Sequence, residues 1–310
     1  MQSYFGYEIY FIASRSEGRW GKPLSYIKQA RQTLNIIRRE QPDIVWVQMP
    51  PTFLLHVLQM ARLVSRKPMK VIADCHNRVF RAPWSKMPGL VSRLNQATVA
   101  IAHNSEVGET ALRMGIDRGK LLVFETRPAQ LQRPADMPPA PAVPEILVPC
   151  SYGPDEPISV VLEAARQAPH LRFLLTGKLA KAKARGFVDD APSNVHFTGF
   201  LDKEAFEKLL FGCSAILGLT DFEGIQLSVA NEAVGAGKAM VLSDTAILRD
   251  LFGEAALFAR NEPAALARAC SDAVERAAEL DARSAALREA REIRWKAQAD
   301  EVKIRVGLPV

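Results

Sequence analysis

The sequence predicts an α/β chain made of two doubly wound, parallel-sheet domains. Apolar runs of strand length alternate with stretches of helical length and amphipathic spacing. A segment holding six of the chain's 20 prolines, residues 127–144, interrupts this alternation, which then restarts. The 310 residues, 48% of them apolar, suffice for two medium-sized cores.

Taken in order, Glu8–Ile12 reads as a strand. An amphipathic helix follows from Leu24 to Arg39, with Leu24, Ile27, Leu34 and Ile37 on its apolar side. Ile44–Gln48 is a strand that stops at two prolines, Phe53–Val64 a helix, and Lys70–Asp74 the next strand. Asp74-Cys75-His76-Asn77 lies at the carboxyl end of that strand. Val99–Ala102 is another strand, ending in His103-Asn104-Ser105, with Ser105 the expected cap of a helix reaching Met114. Leu121–Phe124 closes the first half. Residues 1–127 are therefore expected as one domain, 128–144 as an extended proline-rich linker, and 145–310 as the second domain. There Glu145–Pro149, Arg172–Thr176 and Val195–Thr198 read as strands, and Ile158–Ala168 and Lys203–Leu210 as helices. From Pro263 the chain is rich in Ala, Arg and Glu and helical to Arg305.

The most informative stretch is 215–263. Ala215–Leu219 is a buried strand, Thr220–Gln226 a polar loop, and Ser228 the expected cap of a helix to Ala236. Gly237 ends that helix and Ala239–Leu242 is the next strand. A helix N-terminus at the carboxyl ends of parallel strands gathers unpaired N–H groups and the positive end of a dipole, an arrangement suited to phosphate. Glu232, one turn inside the helix, is placed for a ribose diol, because one carboxylate accepts two hydroxyl hydrogen bonds. Glu223, beside Gly224 in the loop, could accept hydroxyls from a sugar beyond the phosphates. Both could equally be solvated surface charges.

This segment resembles the donor-binding signature of family 4 glycosyltransferases, which have two Rossmann-like domains in the GT-B arrangement. The matching residues are Glu223-Gly224, Glu232-Ala233, Gly237-Lys238 and Val241–Ser243, and Gln226 with Ser243-Asp244-Thr245 is similar to a bacterial subgroup. The glutamates stand one residue further apart than is usual in the family, which favours Glu232 over Glu223 as the carried-over contact. The resemblance implies a cleft between the domains, a last helix that returns to the first domain, and an N-terminal domain here lacking its first strand. It implies transfer of a sugar from a nucleotide-diphosphate donor to a hydroxyl of a glycan or lipid-linked acceptor, with retention at the anomeric carbon. His76, in an Asp-x-His like the family's, becomes a catalytic candidate with Glu223. Donor-binding candidates are Ser151, Gly177, Lys178, Phe200, Leu201, Gly224, Gln226, Ser228 and Glu232. Among them Lys178 is the candidate cation for the diphosphate, since Asp155-Glu156 stands where relatives often carry a basic residue. Phe200 and Leu201 are placed for the base. His103 reads as structural.

No cofactor is expected beyond the nucleotide sugar as substrate. No metal is expected either, because the Asp-x-Asp pair of many metal-dependent glycosyltransferases is missing and Asp221-Phe222-Glu223 is a loose imitation. Glycine-rich dinucleotide and phosphate-loop motifs are missing too. The four cysteines are scattered singly, which fits buried thiols in a cytoplasmic protein. Neither a secretory leader nor an apolar run of about 18 residues is seen. Residues 1–130 hold 19 Lys and Arg against 9 Asp and Glu, net +10, whereas the remainder carries −4. That basic half suits an anionic acceptor or peripheral attachment to the inner membrane face, and without a recognition motif it does not argue for nucleic acid. Two other readings stay open: a nucleotide-sugar epimerase of the same fold, and a non-catalytic sugar-nucleotide-binding relative.

Overall fold

The computed structural model describes residues 1–12 and 21–310. It contains two compact units: Met1–Thr126 together with Trp295–Val310, and Arg127–Arg294. Residues 128–144, expected as a linker, thus fall within the second unit, and the chain's last 16 residues, Trp295–Val310, within the first.

The first unit is built on a parallel four-stranded sheet in the order β1-β2-β3-β4: β1 Ile44–Met49, β2 Lys70–Cys75, β3 Val99–Ala102 and β4 Leu121–Val123. Strand side chains alternate between faces, and here both faces are covered. Val71, Ala73, Cys75, Ala100 and Ala102 join a core with Ile37, Leu55, Leu58, Leu94 and Ala111. Ile72, Val99 and Ile101 point the other way, toward Phe124, Trp295, Ala299, Val302 and Val306. Burial on both sides explains why these strands read as continuous apolar runs rather than alternating ones.

Three expectations for this unit are corrected. Residues 8–12 form no strand: β1 is an edge of its sheet, and a strand-prone composition forms a strand only where a neighbour pairs with it. In the Gly21–Glu40 helix, Leu34 and Ile37 join the core but Leu24 and Ile27 are exposed. Apolar periodicity reports a stripe on a helix, not how far along that helix its cover extends. The cap of the Ser105–Arg113 helix is Asn104, whose side chain accepts from the Val107 N–H at 2.8 Å, so Ser105 is the first helical residue.

The second unit has a parallel six-stranded sheet in the order β10-β9-β8-β5-β6-β7. Its strands are β5 Glu145–Pro149, β6 Arg172–Thr176, β7 Val195–Gly199, β8 Ala215–Gly218, β9 Met240–Ser243 and β10 Leu257–Ala259. Alternation again divides the core. Ile146, Val148, Phe173, Leu175, Ala215, Leu217 and Val241 lie on one face, and Leu147, Leu174, Ile216, Met240 and Leu242 on the other. Strand order runs outward in both directions from the β5–β8 pair, so the topological switch point lies between those two strands. Open parallel sheets bind ligands at such points, outside the carboxyl ends of the strands. Among the described residues no helix is long and apolar enough to cross a membrane.

Candidate functional site

The loops after β5 and β8 flank the switch point of the second sheet. The chain leaves β8 through Leu219–Leu227 and enters the Ser228–Ala236 helix. Its cap position is Leu227, which supplies no side-chain hydrogen bond, and Ser228 is exposed at the first helical position rather than capping it. The Ala230 and Asn231 N–H groups donate to the Leu227 carbonyl, and those of Ser228 and Val229 have no backbone partner among the described residues. Gly224, buried and at φ 69°, makes the turn in this loop. Glu223 is exposed and Gln226 half-buried.

Sequence reading missed what holds the loop. The Thr220 N–H donates to Ser243 Oγ at 2.9 Å, and that hydroxyl donates to Asn261 Oδ1 at 2.8 Å. Asn261 Nδ2 in turn donates to Thr220 O at 3.0 Å and Asp221 Oδ1 at 2.8 Å. The Asp221 N–H donates to Asp155 O at 2.8 Å, tying the β8 loop to the β5 loop.

Glu232 is half-buried one turn inside the helix, and among the described residues its carboxylate has no hydrogen-bond or ion-pair partner. Burial alone raises its pKa above the ordinary carboxylate value. A carboxylate partly stripped of water and without a partner is costly unless something else satisfies it.

The β5 loop carries Ser151, whose donors are already engaged. Its N–H donates to both oxygens of Glu156 at 3.0 Å, its hydroxyl to Oε1 at 3.0 Å, and the Gly153 N–H to Oε2 at 3.0 Å. The acidic pair of this loop thus divides: the Glu156 carboxylate fills the loop's own backbone cradle, while Asp155 holds Asp221 through its carbonyl oxygen.

Next to it, Gly177 follows β6 at φ 110°, and a Cβ there would meet the Cys150 carbonyl oxygen at 2.1 Å. Close backbone approach and positive φ both demand glycine. Gly177→Ala is expected to cost at least about 1–3 kcal/mol from backbone strain. Urea denaturation checks this, and a loss within about 0.5 kcal/mol, the range of neutral surface changes, would show that the β5 loop yields. Lys178 is exposed beside it, without an ion pair among the described residues. After β7, Phe200 is 78% exposed and Leu201 half-buried. Adjacent strands β8, β5, β6 and β7 therefore bring Glu223–Ser228, Ser151, Gly177–Lys178 and Phe200–Leu201 to one edge of the sheet.

His76 belongs to the first unit, beyond the carboxyl end of β2. Pairing of Cys75 with Ala102 puts His76 beside His103, with ring centroids 4.8 Å apart. His103 Nε2–H donates to Asp74 Oδ1 at 2.6 Å and Trp46 Nε1–H to Asp74 Oδ2 at 3.0 Å. Gln48 Nε2 lies 2.5 Å from His76 Nε2 and donates to it in the tautomer with that nitrogen unprotonated. Burial would raise the Asp74 pKa, but the His103 hydrogen bond and charge and the Trp46 N–H outweigh it and hold it low. His76 is pushed below the ordinary histidine value by loss of water where its ring lies against its neighbours, then by the charge of His103, with Asp74 opposing. Among the described residues Asp74, His76 and His103 also bring three metal-capable donor atoms within 4.8 Å of one another.

Residues 151–276 match the protein family described as Glycosyl transferases group 1. No curated protein matches the sequence. Among solved structures, Anabaena Alr3699/HepE in complex with UDP and glucose is similar with a TM-score of 0.71, at 14% identity over 93% of this chain and 84% of that one. Sucrose-phosphate synthase (tll1590) from Thermosynechococcus elongatus gives 0.66, at 17% identity over 89% of this chain and 76% of that one. A glycosyltransferase from Rickettsia africae ESF-5 gives 0.65, at 15% identity over 93% and 83%. At such identities the likeness establishes the fold, which is GT-B.

Proposed function

We propose that this chain, which has the GT-B fold and matches the group 1 glycosyl transferases over residues 151–276, moves a sugar from a nucleotide-diphosphate donor to an acceptor hydroxyl. The observation that carries this reading is Glu232: a half-buried carboxylate with no partner among the described residues, one turn inside the helix that follows β8 at the switch point. A ribose diol supplies the two hydroxyl donors that such a carboxylate lacks. The uncapped N–H groups at Ser228 and the ammonium of Lys178 then take the negative charge that grows on the departing diphosphate, without a metal at that position. Phe200 and Leu201 are assigned to the base, Glu223, Gly224 and Gln226 to the donor sugar, and Gly177 to the close turn beside the phosphates. His76 is assigned to a sugar or acceptor hydroxyl. Retention at the anomeric carbon follows from the family resemblance. The basic first 130 residues favour an anionic glycan or lipid-linked acceptor.

Ser151 is the weakest member, because Glu156 occupies its donors. That occupancy favours a second reading, a relative that binds sugar nucleotides without transferring the sugar. One experiment separates the two. Because HepE was solved with UDP and glucose and with UDP-glucose, UDP-glucose heads a panel of nucleotide sugars screened by thermal shift, each followed for donor consumption. A donor that raises the melting temperature and is consumed by transfer or slow hydrolysis supports the enzyme. Binding without consumption supports the second reading, conversion to an isomeric nucleotide sugar makes the protein an epimerase, and no shift with any donor removes the nucleotide-sugar reading.

A further inference from the structure

The Asp74 cluster arises directly from strand register. Trp46 and Gln48 are two residues apart in β1, and Asp74 pairs with Gln48 in β2. Residues two apart share a face, so Trp46, Gln48, Asp74 and the continuation to His76 lie on one side of the sheet. Pairing of Asp74 with Ile101 and of Cys75 with Ala102 brings His103 into line beside His76. Two adjacent strand ends, those of β2 and β3, thus deliver one carboxylate and two imidazoles to one place, with donor atoms within 4.8 Å.

We propose that Asp74, His76 and His103 form a binding site for a divalent transition-metal ion, zinc being the best matched. The donor set is borderline in softness, imidazole nitrogen with one carboxylate oxygen, which suits zinc and its neighbours and not magnesium, which prefers oxygen ligands in octahedral geometry. With both imidazoles neutral the cluster holds a single negative charge, which a dication neutralises; to bind it, His103 changes to the tautomer with Nε2 unprotonated, and its hydrogen bond to Asp74 Oδ1 gives way to the ion. The surroundings supply an outer shell. Trp46 Nε1–H holds Asp74 Oδ2 at 3.0 Å, which leaves Oδ1 as the ligating oxygen; the Gln48 amide, 2.5 Å from His76 Nε2, either turns its oxygen to accept from that nitrogen or yields the nitrogen to the ion. Asp74 is buried, His103 half-buried and His76 exposed, so the site opens to solvent on the His76 side and keeps a fourth position for water. The His103 and Asp74 donor atoms, 2.6 Å apart as a hydrogen-bonded pair, part slightly to admit the ion, and all three donor atoms already lie within 4.8 Å of one another.

This inference does not rest on sugar transfer, and its test uses no activity. The protein, stripped with EDTA and dialysed, is titrated with zinc chloride by calorimetry, and its melting temperature is followed with zinc and with magnesium. One equivalent of zinc is expected to bind and raise the melting temperature, because the ligand binds the folded state, while magnesium does neither. His76→Ala, at an exposed position and so safe for folding, should weaken zinc binding by more than about tenfold, the lower end of what loss of a mere outer-shell partner costs. His103→Gln should weaken it similarly, and Trp46→Phe should do so by about tenfold. Absence of zinc binding by the native protein overturns the proposal. So does unchanged affinity in His76→Ala, which would place the ion elsewhere, for example on a cysteine.

Discussion

Glu232→Ala is expected to lower the affinity for a nucleotide-diphosphate sugar by at least about tenfold, while the melting temperature of the unliganded protein holds or rises slightly. The first half follows from the loss of charge-assisted hydrogen bonds to hydroxyls, each worth about 1.5–3 kcal/mol, where about 1.4 kcal/mol is already tenfold. The second half follows from the raised pKa of this carboxyl, caused by burial. A carboxyl that binds its proton more tightly in the folded chain than in the unfolded one loses stability as pH rises from its unfolded value through its folded value. At neutral pH the ionised Glu232 is therefore a small burden on the fold, and alanine removes it. A structural glutamate would behave in the opposite way, with a falling melting temperature and untouched ligand affinity. Calorimetry with both nucleoside diphosphate and intact nucleotide sugar locates the contact. A ribose contact weakens both alike, a loss confined to the intact donor moves the contact to the sugar, and unchanged affinity for both ends the assignment.

The place of Glu232 in the fold is legible in the sequence because everything that sets it is local: an apolar strand, a polar loop and a helix within 215–236. The same locality explains the legible strands, each an apolar run buried on both faces. Contacts between distant segments were not readable. The Asp74–His103 pair joins residues 29 positions apart on two strands, and no linear pattern announces it. Asn261 braces Thr220 from 41 residues further on, and nothing near either residue announces it. Glu156 reads in the sequence as an acid where relatives often carry a base, but not as the occupant of the Ser151 donors, since that depends on how a six-residue loop, 151–156, closes on itself. The helix starts slipped by one residue for a simpler reason. Asn104 and Ser105 are both good caps, and the 228–236 helix begins with no cap at all.

Trp295→Ala is expected to destabilise the first unit by about 3–5 kcal/mol, the range for removing a large aromatic side chain from a core. Trp295 is 1% exposed, and it is the one aromatic residue after Phe258. It lies in the helix Ala277–Val306 and starts a stripe with Ala299, Val302 and Val306, the spacing of one helical face. That stripe covers Ile72, Val99 and Ile101, the outward side chains of β2 and β3, and the indole packs on Phe124 at 5.5 Å and Tyr4 at 5.0 Å between ring centroids. The sheet face that carries these residues is a core only while the last helix lies on it, so an apparently surface-like, Ala/Arg/Glu-rich tail completes a domain that begins some 300 positions earlier. Ile304→Ala on the same helix is the control: Ile304 is 61% exposed, and its loss should stay within about 0.5 kcal/mol. Urea denaturation followed by circular dichroism compares the two variants. A Trp295→Ala loss no larger than that of Ile304→Ala would mean that the sheet face does not depend on this helix.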